Sequence, residues 1–189
     1  PLRRQRQMCI RDRINTYWHY RYRYDFRDQE SRSDLGVRFV PKPGKFYALG
    51  VSNIGRPISN EKHLEFERKN RFTVVIGSDW GPFTGYAGAI RSDGGLGLNF
   101  RPLWFNNTWN RRFHLEMEAT DFSRERTVRG RLLDEPWVAV GARLAVFPWL
   151  WVGTRWEDLL ERSAFMANVN ITFRDEDFSY LFGWASLAR

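Results

Sequence analysis

Residues 14–27, INTYWHYRYRYDFR, place Trp18, Tyr20, Tyr22, Tyr24 and Phe26 on alternate positions, with His19, Arg21, Arg23 and Asp25 between them. Neighbouring side chains of an extended chain point to opposite faces, so this period of two specifies a strand with one apolar and one charged face. The same alternation recurs. Leu35, Val37 and Phe39 oppose Asp34 and Arg38, and Leu64, Phe66, Phe72, Val74 and Ile76 oppose Glu65, Glu67, Lys69, Arg71 and Thr73. Phe113, Leu115, Met117 and Ala119 oppose Arg112, His114, Glu116, Glu118 and Thr120; Phe165, Ala167, Val169, Ile171 and Phe173 oppose Met166, Asn168, Asn170 and Thr172.

Turn signals punctuate these runs. Pro41-Lys42-Pro43-Gly44, Gly81-Pro82 and Ser92-Asp93-Gly94-Gly95 cannot continue a ladder, and they separate expected strands at 45–53, 63–79, 83–91 and 96–104. Further strands are expected at 112–122, 136–147 and 149–157, with loops at 54–62 and 106–110 and a charged loop after Phe122. At the C-terminus Phe178, Leu181, Phe182 and Ala185 follow helical spacing behind Asp175, which predicts one short amphipathic helix. No helical crossover interrupts the series. The fold class expected is all-β, an antiparallel meander of about ten strands that closes into a barrel-like domain or packs as two sheets.

Charge needs dissecting before it carries meaning. The formal balance is +8, but residues 1–13, PLRRQRQMCIRDR, hold five Arg and one Asp, leaving 25 Lys+Arg against 21 Asp+Glu in the rest. That opening resembles translated sequencing-adapter read-through and is expected to be a non-native leader. Residues 14–189 are then expected to form a single domain, the C-terminal fragment of a larger protein. With the excess removed, net charge gives no support to a nucleic-acid partner. The single cysteine, Cys9, lies in the same leader, so the body has no thiol for a disulfide, a zinc site or a nucleophile.

Mean hydropathy is −0.56, and no apolar run nears the ~20 residues of a spanning helix. A spanning β-barrel is still permitted, because its strands are apolar only at alternate positions. Alternation cannot say which face is inside. Trp80, Trp104, Trp109, Trp137, Trp149 and Trp156 fall near expected strand ends, where interfacial aromatics of a membrane barrel would sit. An aromatic core at the ends of a soluble barrel would use the same positions. The other face collects Arg21, Arg23, Asp25, Arg38, Glu65, Glu67, Glu116, Glu118, Arg143, Arg155 and Glu157. If inward, these charges must cross-pair or hold water; if outward, they are simply solvated.

No catalytic constellation emerges. His19, His63 and His114 lie on separate strands without metal-ligand spacing, and Glu116 and Glu118 read more readily as ion-pairing groups than as a catalytic pair. Gly94-Gly95-Leu96-Gly97 precedes a strand and not a helix, so it lacks the helix terminus a phosphate loop needs. No enzyme activity, cofactor or metal is expected.

Three segments, YAGAIRSDGGLGLNF (86–100), FHLEMEATDF (113–122) and ITFRDEDFSYLFGW (171–184), together resemble the C-terminal region of MCE (mammalian cell entry), MlaD-like proteins of diderm bacteria. That resemblance implies a barrel-like domain appended to a phospholipid-transport subunit in the cell envelope, in the periplasm or at the outer membrane. Its partners would be lipids, an upstream MCE domain and an inner-membrane ABC transporter, with homo-oligomerisation possible. A lumen of Arg and Glu solvates acyl chains poorly, which favours anchoring or docking over conduction. The alternatives are an unrelated small outer-membrane barrel, porin or adhesin, and a soluble β-barrel binding module.

Overall fold

The computed structural model describes residues 14–54, 70–106, 109–110, 112–128 and 131–175. Ten strands form a closed antiparallel barrel: β1 (Asn15–Asp25), β2 (Glu30–Lys42), β3 (Lys45–Ile54), β4 (Arg71–Trp80), β5 (Phe83–Ile90), β6 (Asp93–Phe100), β7 (Phe113–Thr120), β10 (Trp137–Ala145), β11 (Leu150–Glu157) and β12 (Ala164–Arg174). Each pairs with its sequence neighbour in the barrel, and β1 closes on β12 through partners such as Trp18 with Phe173 and Tyr22 with Val169. Between β7 and β10, β8 (Arg126–Val128) and β9 (Arg131–Leu133) form a small separate hairpin where a charged loop was expected.

The turns follow their residues. Lys42 pairs with Lys45 around Pro43-Gly44, where proline presets φ and Gly44 supplies φ +79°. Trp80 pairs with Phe83 around Gly81-Pro82, with Gly81 at +56°. The expected Ser92–Gly95 turn is displaced: Ile90 pairs with Asp93, so the turn is Arg91-Ser92, and Gly94-Gly95 already belong to β6. Arg91 and Ser92 have φ of 52° and 67°, the positive pair of a type I′ hairpin. Strand β6 stops at Phe100 and not at Trp104, because Arg101 begins the turn that Pro102 continues. The expected 63–79 strand is observed as β4 from Arg71; 63–69 and the predicted C-terminal helix beyond Asp175 lie outside the described residues.

The barrel resolves the question of faces. Phe72, Val74 and Ile76 on β4 are 62%, 54% and 56% exposed, whereas Arg23, Arg155 and Glu157 are 1%, 2% and 3% exposed. The alternating apolar residues point out and the charged ones point in, with Phe46, Ala139 and Met166 as apolar residues buried on the inner side, a polarity opposite to that of a barrel with a dry interior and a wet outside. Space inside is made by glycine. His19, Phe46, Tyr86, Arg143 and Arg155 each stand opposite a glycine on the neighbouring strand: Gly36, Gly77, Gly97, Gly153 and Gly141. A Cβ on Gly97 would fall on the Tyr86 ring, and one on Gly77 on that of Phe46. The rings of His19, Phe46 and Tyr86 thus lie over these glycines on the inner face.

Candidate functional site

The lumen is built around the carboxylate of Glu157, carried inward by β11. It accepts from Arg23 Nη1 at 2.9 Å and from Arg91 Nη2 and Nη1 at 2.6 and 3.2 Å, and Arg155 Nε approaches at 3.3 Å. Arg23 uses its other Nη to reach Asp34 at 2.8 Å, whose Oδ1 also accepts the Asn53 amide at 3.2 Å. Arg155 turns towards Glu118, which also accepts from the Tyr86 hydroxyl at 2.6 Å. Glu116 lies 2.9 Å from Arg143 Nε and 3.7 Å from Arg155 Nη1. Charges so deeply buried are tolerable only when matched, and these are matched across five strands and the β5–β6 turn.

Around this centre the pairs are more local. Arg21 Nε donates to Asn170 at 2.6 Å, and Asn170 Nδ2 donates to Asn168 at 2.8 Å. Asp25 meets Arg32 at 3.5 Å and accepts the Arg27 amide at 2.9 Å, which fixes the β1–β2 turn. Arg38 lies 3.7 Å from Asp79 and stacks on Phe46 with 3.6 Å to the ring centroid.

Of the charges singled out from sequence, Arg23, Glu116, Glu118, Arg143 and Arg155 join the central network with Glu157. Arg21, Asp25 and Arg38 face the lumen in separate pairs, and Glu65 and Glu67 lie outside the described residues. Sequence reasoning missed Arg91 and Tyr86. Arg91 sits on a turn, where alternation predicts no face, and from φ 52° its side chain reaches Glu157. Tyr86 was legible from its parity with Thr84, but among the small residues of β5 it drew no notice.

The up-and-down order of the strands places the start of β1, Asn15, and the end of β12, Arg174, at one rim of the barrel, here the near rim. Trp80, Trp104, Trp109 and Trp149 are exposed around it, and Phe83 stacks on Phe100 at 4.9 Å on the adjoining outer face. At the opposite, far rim Trp156, Phe165 and Phe26 form a second outer cluster with centroids 4.9 and 5.6 Å apart. Trp137 departs from the expected interfacial set. It points inward, with Arg91 and Arg155 4.6 and 5.5 Å from its ring centroid. Between the connections that follow β7 and β11, Arg124 grips both oxygens of Asp158 at 2.9 and 3.0 Å and lies 3.4 Å from Glu161, whose other oxygen accepts the Asp134 amide at 3.0 Å. Burial works against the charge of Arg124, but the Asp158 hydrogen bonds and the nearby carboxylates outweigh it and hold its pKa above the ordinary value.

A sequence model of a lipocalin-like domain matches residues 16–180. No curated protein matches. Among solved structures, one from a study of the in-meso crystallisation of membrane proteins is 10% identical with a TM-score of 0.42, covering 87% of this chain and 85% of its own. The S-type phycobiliprotein lyase CPES of Guillardia theta is 9% identical with a TM-score of 0.39, covering 90% and 92%. The N-terminal β-barrel domain of Pseudomonas aeruginosa OprF is 7% identical with a TM-score of 0.33, covering 86% and 98%. Likeness at this level does not distinguish one kind of barrel from another.

The lipocalin-like match overturns the MCE resemblance, and the phospholipid-transport role and ABC-transporter partner that rested on it are left without support. The physical reason is visible in the segments themselves. YAGAIRSDGGLGLNF is a two-residue hairpin between β5 and β6, and FHLEMEATDF is the alternating strand β7 with its exit. Two-residue hairpins and alternating strands are general parts of antiparallel meanders.

Proposed function

The chain belongs to the lipocalin-like domain family, and from its barrel, apolar outside and ion-paired inside, we propose that it is a small outer-membrane β-barrel, sealed and serving as an anchored surface module. The observation that carries this reading is the inversion of polarity. Lipocalin-type barrels hold a small ligand in their interior; here Arg23, Arg155 and Glu157 occupy that space, and the apolar residues cover the outside. In water each large apolar side chain left out forgoes about 1.5–3 kcal/mol of burial. In a bilayer the same residues are solvated by lipid.

Dimensions agree. Strands of about ten residues rise ~3.3 Å per residue, and at the usual tilt this gives ~25 Å, the height of an outer-membrane barrel's apolar band. Aromatic clusters at both rims sit where such barrels carry their girdles. A closed lumen speaks for an anchor and against a porin, since an ion crossing it would have to part Glu157 from three guanidinium groups. Glu116, Glu118 and Glu157 are all held by arginine, so none is poised as a general base.

Refolding of the chain into phosphatidylcholine vesicles tests both halves of the reading. The inserted barrel should run faster on unheated than on heated SDS gels, resist carbonate extraction and give no unitary current in planar bilayers. A detergent-free monomer that stays in solution would overturn the membrane placement; stable conductance steps would overturn the sealed lumen.

A further inference from the structure

We propose that the near rim is a docking surface for anionic phospholipid headgroups, which sets the direction in which the barrel sits in its membrane. This rests on the membrane-barrel reading above. Chain alternation delivers a group of cations to that rim: Lys42 and Lys45 at the exposed β2–β3 tip, Arg101 and Arg112 bracketing the β6–β7 connection, and Arg174 ending β12. Against them, the acidic side chains described there are Asp79, which Arg38 meets at 3.7 Å, and Asp175.

The far rim mixes both signs. Asp28, Glu30, Asp121, Glu125, Asp134 and Glu135 lie on its turns and connections beside Arg27, Arg126, Arg131 and Arg162, and Arg124 is taken up by Asp158 and Glu161. Among the described residues it is therefore at the near rim that basic side chains outnumber acidic ones, while the lumen between is matched.

The tryptophans sharpen the assignment. Trp80, Trp104, Trp109 and Trp149 surround the cationic rim and are all exposed. An indole settles at headgroup depth, and a basic side chain just beyond it reaches the phosphate. Lys42 and Lys45 face each other across a two-residue turn, a spacing suited to one phosphate between two ammonium groups. The phosphate is assigned to a glycerophospholipid and not to a lipid A. In outer-membrane barrels the short turns lie on the periplasmic side, where the leaflet is phospholipid. The near rim has the short turns 43–44, 81–82 and 146–149 and one longer connection, 101–112, whereas the two longest connections of the barrel leave from Ile54 and Thr120 at the far rim, which also has the short turns 26–29 and 91–92.

The test uses the full chain, so that residues 1–13 are constant, in nanodiscs of phosphatidylcholine mixed with either phosphatidylglycerol or lipid A. Lipids retained on the protein are counted by native mass spectrometry. Phosphatidylglycerol should be retained over phosphatidylcholine. The preference should fall about fivefold per cation removed in Lys42→Gln and Arg112→Gln, and fade above about 0.5 M salt. Both positions are exposed at the rim, so the variants keep the fold. Equal retention of the two phospholipids, variants indistinguishable from wild type, or preferential retention of lipid A that these variants abolish would each overturn the inference. A chain that never enters pure phosphatidylcholine bilayers overturns the membrane reading and this inference with it, so the two failures are told apart.

Discussion

Glu157 is the residue on which three arginines converge, and its removal leaves Arg23, Arg91 and Arg155 buried without their shared counter-charge. Breaking one side of a buried pair costs about 3–5 kcal/mol. Glu157→Ala should lower the unfolding free energy of the refolded barrel, read from urea curves, by that amount, whereas Glu125→Ala, on the exposed connection after β7, should stay within about 0.5 kcal/mol. Arg91 is a subtler case. It occupies φ 52°, which a residue with a Cβ tolerates poorly, and holds that conformation while gripping Glu157 at 2.6 Å. Arg91→Ala should lose the grip and keep the strain; Arg91→Gly should lose the grip and regain about 1 kcal/mol. Equal stability of the two variants, read from the same urea curves, would mean that the turn stores no strain.

Strands carry two opposed demands, a lumen crowded by large side chains and an outer face that must suit its surroundings. Gly97 meets the first by lying under the Tyr86 ring. Gly97→Ala should destabilise by about 1–3 kcal/mol, and a Tyr86→Ala background should absorb most of the loss, a coupling that a double-mutant cycle measures. The outer face gives a test of environment. Val74 lies mid-strand on β4 and is 54% exposed. In a bilayer Val74→Arg should cost about 2–4 kcal/mol, but on a water-facing strand it would be near neutral. Vesicle-refolding titrations read the difference directly.

At the scale of the molecule, closure joins these elements, since β1 pairs with β12 and Arg23 meets Glu157 134 residues away. Because the central pairs are buried, raising salt from about 0.05 to 0.5 M should leave the unfolding midpoint nearly unchanged while erasing the near-rim lipid preference. A midpoint that fell steeply with salt would place the network in contact with water. Strand identity, parity and most turns were determined by the sequence alone, because period two and the Pro-Gly pairs are local properties of the chain. Arg23, Glu118 and Arg155 were legible as members of one polar face for the same reason. Which face lies inside was decided by tertiary structure, since alternation is symmetric between the two choices and only closure breaks that symmetry. A trace of the answer was present in the chain: Gly36, Gly77, Gly97, Gly141 and Gly153 share parity with the polar side chains of their strands, and only a concave, crowded face needs glycine there. The pairing of Glu157 with Arg91 and the inward turn of Trp137 left no such trace, because both depend on where distant strands and a strained turn meet across the barrel.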